Sequence, residues 1–219
     1  MPTMTSENRP TSLRFEYHAV SDRDTQKTLF TITRTATNFP AFLFKKSLLR
    51  LIHTESNKLV GTVRFHSKHL DLDLEVNGRK MILSPAEVGE ARWIFEPTSP
   101  SSKPQKWLWG PDPTDETRSV VLVDMNDHSK VFARVKQDSL SFGSLDLTDE
   151  TMNDIVITTL ALFEFVRRKS KLETVDLGVA LHARDRFKAG VPAYGAINGN
   201  PHVGGSAVGF AAAASGGGC

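Results

Sequence analysis

Hydrophobic residues alternate with polar ones over most of this chain, then close up into one run that is apolar on every side. From Leu13 onward the period is two, as strands require, because successive side chains point to opposite faces. Leu13, Phe15 and Tyr17 share one face of a first segment, and Leu29, Phe30 and Ile32 begin a second. Phe42–Phe44 with Leu48–Ile52 supply a third region, and Leu59–Phe65 follows the turn at Thr54–Asn57. The clearest half-buried strand sets Leu70, Leu72 and Leu74 against Asp71, Asp73 and Glu75. Asn77-Gly78 comes next, a pair suited to the positive φ angles of a two-residue hairpin, and Lys80–Leu83 returns.

The second half repeats the rhythm. Ala91, Trp93 and Phe95 form one face of a strand that ends at Pro97, and in Trp107-Leu108-Trp109 both indoles fall on one side. A turn-rich stretch (Gly110–Thr117) leads to Val120–Val123, Asn126-Asp127 turns the chain into Val131–Val135, and Leu140–Leu147 completes the series. Some ten or eleven short strands, spaced about ten to fifteen residues apart, predict a sandwich or barrel.

Then the period changes. Residues 148–169 read as a helix with Thr148 as N-cap, Asp149, Glu150 and Asp154 near its positive end, and Arg167, Arg168 and Lys169 at its negative end. Between these ends Ile155, Val156, Ile157, Leu160, Ala161, Leu162, Phe163, Phe165 and Val166 point all round the axis. Such a helix has no solvent face, so protein or lipid must surround it. A membrane span needs roughly 20 mostly apolar residues, and this run is about twelve, with Glu164 near its end. The expectation is a helix enclosed by the strands before it, with Ile155, Leu160, Phe163 and Val166 buried and no transmembrane span.

The ends differ from the body. Residues 1–11 are polar and expected to be disordered. From Lys188 the chain is Gly/Ala-rich and holds nine of the fifteen glycines, so residues 188–219 are expected to be a disordered tail. Residues 12–187 are then one domain, with Val175, Leu177, Val179 and Leu181 offering a further strand or short helix at its edge.

Composition narrows the function without naming it. The net charge of +2 shows no strong bias toward nucleic acid or membrane, and 24% charged residues is ordinary. Cys219 is the only cysteine, so neither an intramolecular disulfide nor a cysteine-based zinc site is available. The N-terminus lacks the apolar stretch of a signal peptide, and an intracellular monomer is the expectation, in cytoplasm, in the nucleus or at a membrane surface.

Candidate chemistry is sparse. His66 and His69, three apart in strand-like sequence, point to opposite faces and do not converge on a metal. Asp71, Asp73 and Glu75 lie along a straight strand, which splays carboxylates apart, so a solvated face fits better than a calcium site. No Gly-x-Ser-x-Gly elbow and no phosphate loop is present, and no catalytic residue, metal or cofactor is assigned. Phe42-Leu-Phe-Lys-Lys-Ser-Leu-Leu-Arg50 mixes apolar side chains with Lys45, Lys46 and Arg50, a pattern able to hold an acidic membrane lipid. Arg79-Lys80 adds cations at a hairpin tip, and Arg167–Lys169 reads as helix C-terminal charge.

Many strands followed by one buried helix resembles the tubby C-terminal-like superfamily, closed antiparallel barrels of roughly 10–12 strands around a central helix. The stretch 91–171 is similar to small fungal domains of unknown function in that group. It is carried by Trp107-Leu108-Trp109, Val120–Asp124, Val131–Val135 and above all Asp154–Lys169. The wider group, which takes in LURP-one-like plant proteins and scramblases, includes lipid-binding members, but no catalytic or lipid-contacting residue of theirs maps onto this sequence. The resemblance implies a mainly β barrel acting as a non-catalytic binding or scaffold module for acidic lipid or an unidentified protein. A hydrolase-like enzyme with its site in the barrel mouth, and a membrane-anchored scramblase-like protein, are the alternatives.

Overall fold

The computed structural model describes residues 9–36, 47–66, 70–86, 91–97, 105–115, 119–143 and 147–170, together with 176, 177, 179 and 181. Among the described residues the fold has twelve strands and one long helix. The strands are β1 (Ser12–Phe15), β2 (Ala19–Asp22), β3 (Thr28–Ala36), β4 (Ser47–His53), β5 (Lys58–Phe65) and β6 (Leu72–Val76). They continue as β7 (Arg79–Pro85), β8 (Trp93–Phe95), β9 (Trp107–Pro111), β10 (Val120–Asp124), β11 (Val131–Lys136) and β12 (Ser139–Phe142). The helix, α1, runs Asp149–Ser170.

Each strand pairs antiparallel with its neighbour in sequence, and β12 pairs with β1, with Leu140 opposite Leu13, so the sheet is a closed barrel. Closure leaves no exposed edge to template pairing with another chain. The hairpin expected at Asn77-Gly78 is present, with φ of 50° and 80°, the left-handed values that a type I′ turn needs at both positions. Gln26, Asn57 and Gln137 also take positive φ in tight turns between strands.

Parity decides what lies inside. Leu49 and Leu51 on β4, Leu72, Leu74 and Val76 on β6, and Trp107 and Trp109 on β9 all face inward and are buried. Twelve strands spaced about 4.8 Å apart and tilted by about 40° close a wall roughly 11–12 Å in radius, too wide for side chains alone to fill. A helix about 10–12 Å across its side chains fills the remaining bore. Residues 154–162 of α1 are all buried, which at 3.6 residues per turn covers every face. Its contacts reach strands on opposite sides: Phe163 stacks on Phe15 of β1 (5.3 Å), and Phe165 meets Trp93 of β8 edge-on (4.7 Å). The helix therefore occupies the barrel interior, as its all-round apolar pattern predicts.

Three expectations are revised or extended. Tyr17 does not share the inner face with Leu13 and Phe15: β1 stops at Phe15, and Tyr17 sits in the turn before β2, 46% exposed. Phe163 is only partly buried, because it lies where the helix reaches the barrel mouth. Leu177 and Leu181 are helical, fully buried and part of the core, so the chain beyond α1 still contributes apolar surface. Residues 1–8 and 188–219 lie outside the described residues, whereas Arg9 is described: its guanidinium bonds the Leu147 carbonyl and pairs with Asp149 at 3.0 Å.

Gly61 of β5 lies where the wall passes close to the helix. A Cβ there would come within 2.6 Å of the Glu75 carbonyl oxygen and 3.3 Å of the Ile157 side chain. Gly61→Ala is expected to destabilise the fold by about 1–3 kcal/mol, as overpacking does, read as a lowered denaturant midpoint. Leu160→Ala, which opens a cavity, should cost about 2–5 kcal/mol, and Phe163→Ala, at the half-open mouth, distinctly less.

Candidate functional site

The two mouths of the barrel are built differently. At the N-terminal end of α1, Thr148 caps the helix, its Oγ1 accepting from the Thr151 backbone N–H at 3.2 Å. The acidic first turn pairs with Arg9 through Asp149 and with Arg79 through Glu150 (3.2 Å). Positive residues thus meet negative ones that already suit the helix dipole, a closed arrangement that anchors the helix.

Midway, polar groups on α1 are satisfied within the core. The Trp109 indole N–H donates to Thr158 Oγ1 at 3.1 Å, and that hydroxyl donates to the carbonyls of Asp154 (2.8 Å) and Ile155 (3.0 Å). The indole N–H groups of Trp93 and Trp107 have no partner among the described residues and are held by ring packing, Trp107 stacked on Phe132 at 4.1 Å.

The C-terminal mouth is the candidate site. Glu164 sits in the last turns of α1 with its side chain 1% exposed, where the helix dipole opposes a negative charge. Three guanidiniums converge on it. Arg34 Nε donates to Oε2 at 3.2 Å; Arg167 donates through Nε (3.0 Å) and Nη2 (2.6 Å); Arg168 Nε donates to Oε1 at 2.8 Å. Burial works against the Glu164 carboxylate, yet the hydrogen bonds from Arg167 and Arg168 and the charge of Arg34 outweigh it and hold its pKa below the usual range. The arginines are braced independently: Arg34 lies over the Tyr17 ring at 4.0 Å and also bonds the Tyr17 carbonyl, while Arg168 lies over Phe65 at 3.9 Å. Arg167 reaches the Tyr17 ring from 5.0 Å, and Lys169 stands exposed beside Phe165. The guanidinium-bearing side chains remain 18–32% exposed, so the mouth presents cations to solvent, with the exposed ring of Tyr17 beside them.

The residues singled out by the sequence fall partly here. Lys45 and Lys46 lie outside the described residues, but the strands that bracket them, β3 and β4, end side by side with Ala36 opposite Ser47. Ser47 in turn lies opposite Phe65, the ring under Arg168, so both strands end at the C-terminal mouth. Arg50 is exposed on the outer wall of β4, between Thr33 and Thr62. Arg167 and Arg168, expected only to complement the dipole, also hold Glu164. Arg34 and Tyr17 were missed by sequence reasoning. The signal for Arg34 was parity: it follows Phe30 and Ile32 at the inward positions of β3.

Two other charged groups bond locally on the wall. Asp112, buried after β9, accepts from the Thr114 N–H (2.9 Å) and hydroxyl (2.7 Å) and from Ser119 (3.2 Å), and pairs with Arg134 at 2.8 Å. Asp73 bonds His66 at 2.7 Å, and among the described residues no group of three or more His, Asp or Glu is placed to hold a metal. No described helix is long and apolar enough to cross a membrane. No protein-family model, curated protein or solved structure matches this chain.

Glu164→Gln is expected to destabilise the fold by about 1–3 kcal/mol, since partly buried guanidiniums lose a charged acceptor. The pH dependence follows from the depressed carboxylate. The folded pKa lies below the ordinary value of about 4.3, so the ionised form stabilises the protein above that pH and the contribution is lost as pH falls through the folded value. Acid unfolding monitored by circular dichroism should therefore flatten in Glu164→Gln over that range.

Proposed function

We propose that this protein is a non-catalytic intracellular binding module that engages acidic membrane surfaces through the C-terminal mouth of its barrel. The observation that carries the reading is the convergence of Arg34, Arg167 and Arg168, with Lys169, Tyr17 and Phe65 beside them, at the mouth where β3 and β4 end. Cations beside an exposed aromatic ring suit an anionic interface, where each contributes about 1 kcal/mol. Glu164 does not suit acid–base chemistry, because it is held ionised and bonded on both oxygens. The closed barrel around a helix is consistent with membership of the tubby-like group, and its lipid-binding members favour the same reading. Lys45, Lys46 and Arg50 are assigned to the lipid-facing side as part of this proposal.

Flotation with phosphatidylserine-containing vesicles tests it. Replacing Lys45, Lys46 and Arg50 by glutamine should weaken binding by about 100-fold, from about 1 kcal/mol per cation, while leaving the thermal midpoint unchanged. Binding should also weaken with salt, because exposed charges are screened beyond about 8 Å at physiological ionic strength. Wild-type protein that ignores acidic vesicles at low salt would overturn the lipid reading and leave a protein partner as the ligand to seek.

A further inference from the structure

The geometry points to Glu164 as an autoinhibitory competitor that occupies the arginines of the proposed lipid-binding mouth and limits their use by an outside anion; this rests on the lipid reading above. Its position is the first reason. A carboxylate in the last turns of a helix faces the negative end of the dipole, and a nearly inaccessible one must also be desolvated. An uncharged residue there would avoid both costs. The second reason is stoichiometry: four N–H donors from three guanidiniums go to the two oxygens of one carboxylate. A carboxylate and an anionic headgroup ask for the same donors in the same planar geometry, so an N–H turned inward to Glu164 is not offered outward.

The third reason is that the arginines do not depend on Glu164 for their place. Arg34 rests on Tyr17 and bonds its carbonyl, and Arg168 rests on Phe65, so ring stacking would keep these guanidiniums at the mouth without the carboxylate. Their partial exposure, against 1% for Glu164, means that a small outward rotation of a long side chain exchanges the inner partner for an outer one. Glu164 then sets a threshold: weakly charged surfaces fail to draw the arginines away, and densely anionic ones succeed.

The test is vesicle binding by the full chain, at fixed salt, with phosphatidylserine raised stepwise in phosphatidylcholine. Glu55→Gln, in the turn at the other end of β4, supplies the same change in net charge away from the mouth. Glu164→Gln should bind about tenfold or more tightly than Glu55→Gln, since each guanidinium freed toward the lipid strengthens binding about fivefold. Adding Arg34→Gln should remove more binding from Glu164→Gln than from wild type, the non-additivity expected of groups that share a partner. Glu164→Asp keeps the charge but shortens the reach, and should bind more tightly than wild type with no change in net charge; it decides the matter if Glu164→Gln fails to fold by circular dichroism. If wild type binds but neither Glu164 variant gains over its reference, the competitor role is overturned and the lipid reading stands. If wild type and every folded variant ignore acidic vesicles, the lipid reading itself falls.

Discussion

A closed wall of twelve strands imposes one demand on everything else: its bore has to be filled. Protein interiors pack as densely as organic crystals, and an empty channel along the axis would forfeit the contacts of every inward side chain. The filler must be apolar on all sides and must satisfy its own backbone hydrogen bonds, and an α-helix does both. That is why residues 154–162 carry no solvent face and why Gly61 stands where a wall side chain would press on Ile157.

Threading a helix through a barrel creates two exits, and each has to settle the unpaired groups of a helix end. At the first, Thr148 and the acidic turn meet Arg9 and Arg79, and charge, dipole and cap agree. At the second they conflict: Glu164 opposes the dipole, and Arg34, Arg167 and Arg168 compensate. Local rules broken at one place and restored by partners from elsewhere mark where a fold carries something beyond stability. Here the compensating groups are cations that reach solvent, which ties the structural anomaly to the proposed binding surface.

The exposed cations and the buried carboxylate sit at different depths in the same mouth. The outer cations supply long-range attraction to an anionic surface, which salt screens. The inner carboxylate, shielded from solvent, sees a lower dielectric and so holds its arginines more strongly than the same contacts would in water. Affinity at such a site is a contest between an intramolecular and an external anion.

Most of the architecture was legible in the sequence because it rests on local periodicity. Alternation in Leu70–Leu74, the Asn77-Gly78 turn, the paired indoles at Trp107 and Trp109, and the capped helix from Thr148 each follow from which neighbours share a face. The cationic character of 42–50 was equally plain. What the sequence could not supply was which residues meet across the barrel. Arg34 and Glu164 are 130 residues apart, and only the register of β3 and the depth at which α1 sits bring them together. The same holds for Tyr17, which continues the alternation on paper but lies beyond the end of β1, and for Leu177 and Leu181, which join the common core after the long helix has ended. Periodicity is a property of neighbouring residues, and the sequence alone determined it. Closure, register and the pairing of charges at the mouth are properties of the whole ring, so the tertiary structure decided them.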